Sequence, residues 1–234
     1  MSAAVTAIGL VVAVAGYLHP VRRYLVRAEA AGTLAAGSSP HVVARMLFGA
    51  SLAGVTLLGT WGSIQWIPRW AIQLGGTAAP HAKEYAQIAT ALGAIVATYL
   101  TAIVADRLGR RPTYALLCLA TVAAALWLYQ GHDAFGPSFL LAAFLTGGAS
   151  GSFYGIFPLY FPELFPTAVR ATGQGFAFNF GRIIAAIGGL QTAALMGYFD
   201  GSFPKAGSVL VAIYLVGAAI VWLGPETKGR PLPE

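Results

Sequence analysis

The sequence predicts an all-α polytopic membrane protein, and three observations carry the prediction. Of its 234 residues 57% are hydrophobic and 9% are Asp, Glu, Lys or Arg, whereas a soluble domain averages roughly 45–50% apolar and about 25% charged residues. The mean hydropathy is +0.71, with the apolar residues gathered into nearly uncharged runs close to the ~17–25 residues a helical span needs. The runs are continuously apolar, without the polar–apolar alternation of a barrel strand, so helices are the element that satisfies their backbone in lipid.

Seven runs follow in order. The first, residues 3–18, is marginal for spanning. No Lys or Arg precedes it, and Arg22, Arg23 and Arg27 follow it, an order that suits an outward-started anchor rather than a secretory signal. A polar stretch, residues 20–45, is read as a linker. The next six runs cover residues 46–67, 85–105, 113–130, 138–161, 172–199 and 206–223. The domain reading is therefore a partial span over 1–19, a cytoplasmic linker over 20–45, a six-helix unit over 46–224 and a tail over 225–234. The fourth connection, residues 131–137, splits the six spans three and three. The first helix of each triplet carries a small-residue cluster, Gly49–Ser51 with Ala53-Gly54 and residues 147–152. That pattern fits a repeated three-helix unit of opposite orientation, or small residues that simply let helices pack closely.

Charge sets the orientation. Arg22, Arg23, Arg27, Arg45, Arg107, Arg110, Arg111, Arg170, Lys228 and Arg230 fall on one face, and Arg69, Lys83 and Lys205 on the other. The richer face is assigned to the cytoplasm, which places the C-terminus inside a multi-pass protein of the cell (inner) membrane. Trp66, Trp70, Tyr198 and Phe199 then fall at outer ends, where interfacial aromatics sit. The same asymmetry accounts for the +6 formal charge without a nucleic-acid partner. Cys118 is the sole cysteine and is read as a small core hydrophobe. His19, His41, His81 and His132 form no metal-ligand pattern. No nucleophile–base pair lies near a span, so no catalytic residue, metal or cofactor is expected and the chain is not read as an enzyme. The expected partners are the lipid bilayer and a small-molecule substrate.

Scarce charge makes the charged motifs informative. ADRLGRR, residues 105–111, joins two spans through a very short turn in which Gly109 supplies the backbone freedom. Arginines at a helix N-terminus oppose the helix dipole, so they need partners such as Asp106, other acidic groups or lipid phosphate. A second charged stretch, FPELFPTAVRATGQGFAFNFGR, contains Glu163, Arg170 and Arg182. A third, GPETKGRPLPE, ends the chain. DRLGRR resembles the motif between the second and third helices of each half of major facilitator superfamily carriers. PELFPTAVRATGQG resembles the segment after their tenth helix, and the terminal PETKGR resembles the tail of the sugar-porter branch. All three stand in the order and at the span ends that the resemblance requires, so residues 40–234 read as helices seven to twelve, preceded by part of helix six.

The resemblance implies a six-helix carrier half working by alternating access. A cytoplasmic gate network would form from Asp106, Arg107, Gly109, Arg110, Arg111, Glu163, Arg170 and Glu226. It also implies that an N-terminal six-helix half, in the same or a partner chain, completes the carrier. The seventh helix lacks the paired glutamines of sugar porters, and GQGFAFNFGRIIAAIGG looks more like branches that carry organic acids and other metabolites with protons. The expected substrate is a small polar metabolite, sugar-like or an organic anion.

Candidate substrate contacts are Arg182, Asn179, Gln174, Trp61, Gln65 and Tyr154, with Phe153 and Tyr160 as further linings. Arg182 lies well inside its span, where a charge costs about 2.5–3.5 kcal/mol unless it faces a polar cavity. It either holds a carboxylate with Asn179 on the same helix face, or snorkels to the interface or joins the gate charges. The aromatic and glutamine candidates either line a cavity or pack between helices. No Asp or Glu lies centrally in a span, so a proton-coupling residue is expected in the other half. The reading from a different class is a membrane protein with an assembly role and no transport of its own.

Overall fold

The computed structural model describes residues 3–234, with side chains at residue 5 and over 7–186 and 194–234. Ten α-helices follow one another: α1 Ala3–Ala30, α2 Ser39–Gly62, α3 Ile67–Gly75, α4 Ala82–Leu108, α5 Arg110–Gln130, α6 Pro137–Gly151, α7 Phe153–Glu163, α8 Arg170–Tyr198, α9 Phe203–Val211 and α10 Ile213–Ile220. Among the described residues, five stretches are long and apolar enough to cross a membrane: Ser39–Gly75, Ala82–Leu108, Arg110–Gln130, Pro137–Glu163 and Phe203–Leu223. Helix α8, 29 residues long, occupies the remaining predicted run, part of which lies outside the described side chains. The all-α membrane fold is as the sequence predicts.

Several boundaries differ, each for a local reason. Residues 20–45 were expected to be a polar linker, yet α1 continues through Pro20 to Ala30. One proline removes one helix donor, and the residues after it form helix readily and bury Leu25 and Ala28. Helix α2 begins at Ser39, ahead of the predicted start at 46. The Glu29 carboxylate accepts the Ser39 N–H at 2.7 Å and the Ser39 hydroxyl at 2.6 Å, and Pro40 suits the first turn. Ser39 holds the Glu29 carboxyl below the usual carboxylate range, by its hydroxyl first and its backbone second. At the other end the span runs on as α3 through a 3-10 turn at Ile64–Trp66. Trp70, expected at the interface, is 3% exposed and packs on Tyr129 and Phe139, each with centroids 5.4 Å away.

The helices pack in a pattern that pairs the two triplets. The most extensive contacts join α2 to α8 and α4 to α6, so the first helix of each triplet lies against the second helix of the other. Third helices also pack across, α5 on α6 and α10 on α2. The small-residue clusters sit in these seams. A Cβ on Gly93 would collide with the Phe144 carbonyl, one on Gly147 with Thr90, and one on Gly181 would lie 2.8 Å from the Ala53 Cβ. Small residues therefore do serve close helix approach, and they do so in a reciprocal exchange that fits an inverted repeat. Between the seams is an aromatic core, where Phe153 stacks on Tyr214 at 5.6 Å and packs edge-on to Tyr114 at 5.1 Å. Cys118 is fully buried in it.

Candidate functional site

The turn between α4 and α5 is where the charges meet. Leu108 ends one helix, Arg110 begins the next, and Gly109 between them has φ +106°, a backbone state that side chains disfavour. A Cβ at Gly109 would also lie 2.8 Å from Glu226 Oε2. The glycine is thus needed twice, for the turn and for the approach of a carboxylate.

The Arg110 side chain is only 9% exposed. Its Nε donates to Glu163 Oε2 at 3.0 Å and its Nη2 to Glu163 Oε1 at 2.7 Å, a two-pronged grip that matches guanidinium to carboxylate. Nη1 donates to Asp106 Oδ1 at 2.7 Å and to the Ala105 carbonyl at 2.9 Å. Glu226, from the tail, completes the group. It accepts the backbone N–H groups of Arg110 and Arg111 at 2.9 and 3.0 Å, and those of Thr227 and Lys228, both at 2.9 Å. A carboxylate thus sits at the N-terminus of α5 and opposes the cost of placing arginines there. Burial pushes the Glu226 carboxyl up, but the four backbone donors outweigh it and hold it below the ordinary range.

Not every predicted gate residue joins this cluster. Glu163 pairs with Arg110 and accepts the Thr227 hydroxyl at 2.6 Å, while Arg170 pairs with no carboxylate among the described residues. Arg170 binds carbonyls instead: Pro162 at 3.2 Å, Phe165 at 3.3 Å and, in the tail, Pro233 at 2.8 Å. The Pro162 carbonyl, in the last turn of α7, and the Phe165 carbonyl just beyond it lie at the negative end of that helix, which favours a cation there. Arg111 donates to the Trp222 carbonyl at 2.7 Å and lies 4.9 Å from that indole's centroid. The Arg107 side chain is exposed, and its carbonyl accepts from Lys228. Sequence reasoning missed Thr227, and it counted Arg45 only as a topology charge, although Arg45 donates to the Leu164 carbonyl at 2.9 Å. It left Tyr160 between a cavity lining and helix packing. Tyr160 is fully buried, and its hydroxyl donates to the Pro225 carbonyl at 2.7 Å.

Two cavities open along α7, and Tyr154 borders both. One, of about 880 Å³, is lined by Gln65, Arg69, Gln73, Lys83, Gln87 and Tyr154 among others. The other, of about 570 Å³, is walled by Tyr154, Phe157, Phe161, Gln174, Phe178 and Asn179. The structure thus brings Gln174, Asn179 and Tyr154 together and sets Gln65 in the neighbouring cavity. Asn179 spends its amide N–H on the Gly175 carbonyl at 2.9 Å. Arg182 lines neither cavity: it is exposed, with its guanidinium 5.2 Å from the centroid of Phe178. Gln174, Phe178 and Arg182 are spaced by four, so one helix face carries them all. Two lining candidates are corrected. Trp61 is 58% exposed and lines neither cavity, and Phe153 is fully buried in the aromatic core.

Comparison with known proteins agrees with these features. The profile of the family described as "Sugar (and other) transporter" matches residues 32–234. The chain belongs to this family. Within it, and within the wider major facilitator superfamily, the chain is similar to the cis,cis-muconate transport protein of Acinetobacter baylyi, with 31% identity over 71% of this chain and 38% of that protein. It is similar to the niacin transporter of the same organism, with 29% identity over 74% of this chain and 38% of the relative. Organic anion transporter 3 of Oryctolagus cuniculus is 36% identical over 60% of this chain and 25% of its own length. The chain spans less than half the length of the curated relatives it matches.

Proposed function

We propose that the chain forms the C-terminal, six-span half of an alternating-access carrier for a small polar metabolite, an organic anion ahead of a sugar. A further six-span half supplies the facing wall, and the chain catalyses no reaction. The observation that carries the reading is the Arg110 cluster. It gathers Asp106, Glu163 and Glu226 from three separated parts of the chain at one end of the bundle. Hydrogen bonds to charged groups contribute about 1.5–3 kcal/mol each and exposed ion pairs about 0–1 kcal/mol. Such a cluster fixes the turn between α4 and α5 and leaves the exposed Asp106 and Arg107 charges beside it to make and break contacts that bias a two-state equilibrium. In this reading the cluster and the C-terminus are cytoplasmic.

The anion preference rests on Arg182. It lies twelve residues into α8, roughly 18 Å along the helix, exposed on the face shared with Gln174 and Phe178. A cation at that depth is tolerable where it meets a polar cavity or an anionic ligand. The relatives named for muconate, niacin and organic anions favour the same substrate class. The facing half finds support in α4, whose Ile88, Leu92, Ile95, Tyr99 and Ile103 are all exposed.

The test is uptake of labelled cis,cis-muconate and nicotinate into membrane vesicles in which the chain is co-produced with the N-terminal half of the muconate relative, against vesicles holding that half alone. Saturable uptake that Arg182→Ala abolishes and Arg182→Lys partly retains is expected. Saturable uptake indifferent to Arg182→Ala refutes the anion role. Uptake by the purified chain reconstituted alone refutes the need for a second half.

A further inference from the structure

The 880 Å³ cavity sits at the opposite end of α4 from Asp106. Lys83 and Asp106 are separated by roughly 35 Å of helix. Its polar lining has a consistent chemistry. Gln65, Arg69 and Gln73 follow one another at intervals of four along the 3-10 turn and α3, and Lys83 and Gln87 stand at the same interval on α4. One wall thus presents Arg69 between two primary amides and the other Lys83 beside one, each set on a single face. No Asp or Glu is among the lining residues. Among the described residues none of these five side chains has a hydrogen-bond or ion-pair partner. By contrast, every side-chain nitrogen of Arg110 is satisfied by a carboxylate or carbonyl. The carboxylates at the cavity's end of the bundle, Glu84 beside Lys83 among them, lie outside the lining, so within the cavity Arg69 and Lys83 face amides and no carboxylate.

We propose that this cavity is an anion-capture vestibule, in which Arg69 and Lys83 attract a small carboxylate and the amide N–H groups of Gln65, Gln73 and Gln87 hold it. A cleft walled by one sign of charge focuses the field and raises the local concentration of the opposite sign. Amide donors add orientation without a fixed charge that would bind the anion too tightly to pass on. Tyr154, on the rims of both cavities, is the point of transfer toward the Arg182 face. The vestibule rests on the organic-anion reading proposed above. It adds a second site that acts before Arg182 and is independent of it.

The test measures binding of benzoate, with benzamide as the uncharged analogue, to the full chain in phosphatidylcholine nanodiscs by isothermal titration calorimetry. Each exposed charge contact contributes up to about fivefold in an equilibrium constant. The double variant Arg69→Gln/Lys83→Gln is expected to weaken benzoate binding by about five- to thirtyfold and to flatten its dependence on salt, with benzamide unaffected. Arg69→Lys/Lys83→Arg keeps both charges and is expected to bind as the unaltered chain does. Because both residues are exposed, these substitutions leave the core untouched. If the double variant binds benzoate unchanged while Arg182→Gln abolishes binding, the vestibule is overturned and the Arg182 site stands. If Arg182→Gln is silent while the double variant loses binding, the vestibule stands and the central anion site falls. If neither matters, both fall. Phosphatidylglycerol added to the nanodiscs separates the two sources of anion. Displacement of benzoate by that lipid, abolished in the double variant, shows a headgroup site and overturns the substrate reading.

Discussion

Replacing Glu226 by glutamine tests the cluster at its least redundant member. Glu226 Oε1 accepts from the N–H groups of Arg110, Thr227 and Lys228, and Oε2 from that of Arg111. A glutamine oxygen in the Oε1 position keeps three of these bonds, without the charge. Its NH₂ then faces the Arg111 N–H, donor against donor, and that bond is lost. A hydrogen bond to a charged group contributes about 1.5–3 kcal/mol, and a carboxylate at a helix N-terminus adds about 0.3–1 kcal/mol. Discounted for partial exposure, the sum is about 2 kcal/mol of tail docking, or roughly thirtyfold in the open population. Hydrogen–deuterium exchange followed by mass spectrometry reads this directly. Peptides covering Arg110, Arg111 and residues 225–230 are expected to exchange about thirtyfold faster in Glu226→Gln, while peptides from the α2–α8 seam are unchanged. Exchange within twofold of the unaltered chain refutes the reasoning, because the four donors would then be satisfied equally well by water.

The pH dependence carries the same logic with a defined sign. Docking holds the Glu226 carboxyl below its ordinary range, so the undocked tail binds a proton more readily than the docked one. The stabilisation is complete above the ordinary pKa of about 4.3 and is lost as pH falls through the lower docked value. Protection of the Arg110 and Arg111 amides, corrected for intrinsic exchange, is therefore expected to be flat above pH 5 and to fall below about 4. The decline is expected to be absent in Glu226→Gln.

The other predictions concern glycines. Gly109→Ala puts a Cβ at φ +106° and 2.8 Å from Glu226 Oε2. It is expected to raise exchange in the same two peptides by at least as much as Glu226→Gln, since left-handed strain of about 1–2 kcal/mol is added to the lost approach. Gly93→Ala drives a Cβ into the Phe144 carbonyl, where the neighbour is backbone and cannot step aside. The loss expected in an SDS unfolding titration is about 3 kcal/mol, the upper part of the overpacking range. Gly175→Ala, which meets open space, is the control and is expected to be neutral.

Much of the fold was legible because lipid demands continuous apolar runs, and each run became a helix. The charged turn was legible in a stronger sense. Arginines at a helix start had to find partners, and Glu163 and Glu226 are among them. What could not be read depends on groups acting from elsewhere in the chain. Nothing near Ser39 says that the Glu29 carboxylate will start α2 there. Apolar composition likewise gives no reason for α6 and α7 to part at Ser152. Arg170 was expected in the same charge network as Glu163, but its guanidinium binds carbonyls at the end of α7 and in the tail instead. Depth misled as well. For Phe153 and Tyr160 the choice between core and cavity lay in the rotation of α7, and for Trp70 the choice between core and interface lay in the continuation of the span into α3.

The cluster also bears on how a gate at this end works. Asp106 and Arg110 come from the first triplet of spans, Glu163 and Glu226 from the second, so their bonds tie the triplets to each other within one half. A latch between two halves must instead offer groups that this half does not use. Arg110 has little left to offer, being nearly buried with its donors committed. Asp106 is 67% exposed and engages Arg110 through one oxygen, and the Arg107 side chain is exposed beside it. The roles therefore divide. Arg110, Glu163 and Glu226 hold the turn, and in the carrier proposed above the free oxygen of Asp106 and the Arg107 guanidinium are the exposed charges that a second half would meet. The exposed pair is worth about 0–1 kcal/mol in contact, the size suited to a contact made and broken in every cycle, whereas the buried grip on Arg110 is too costly to break that often.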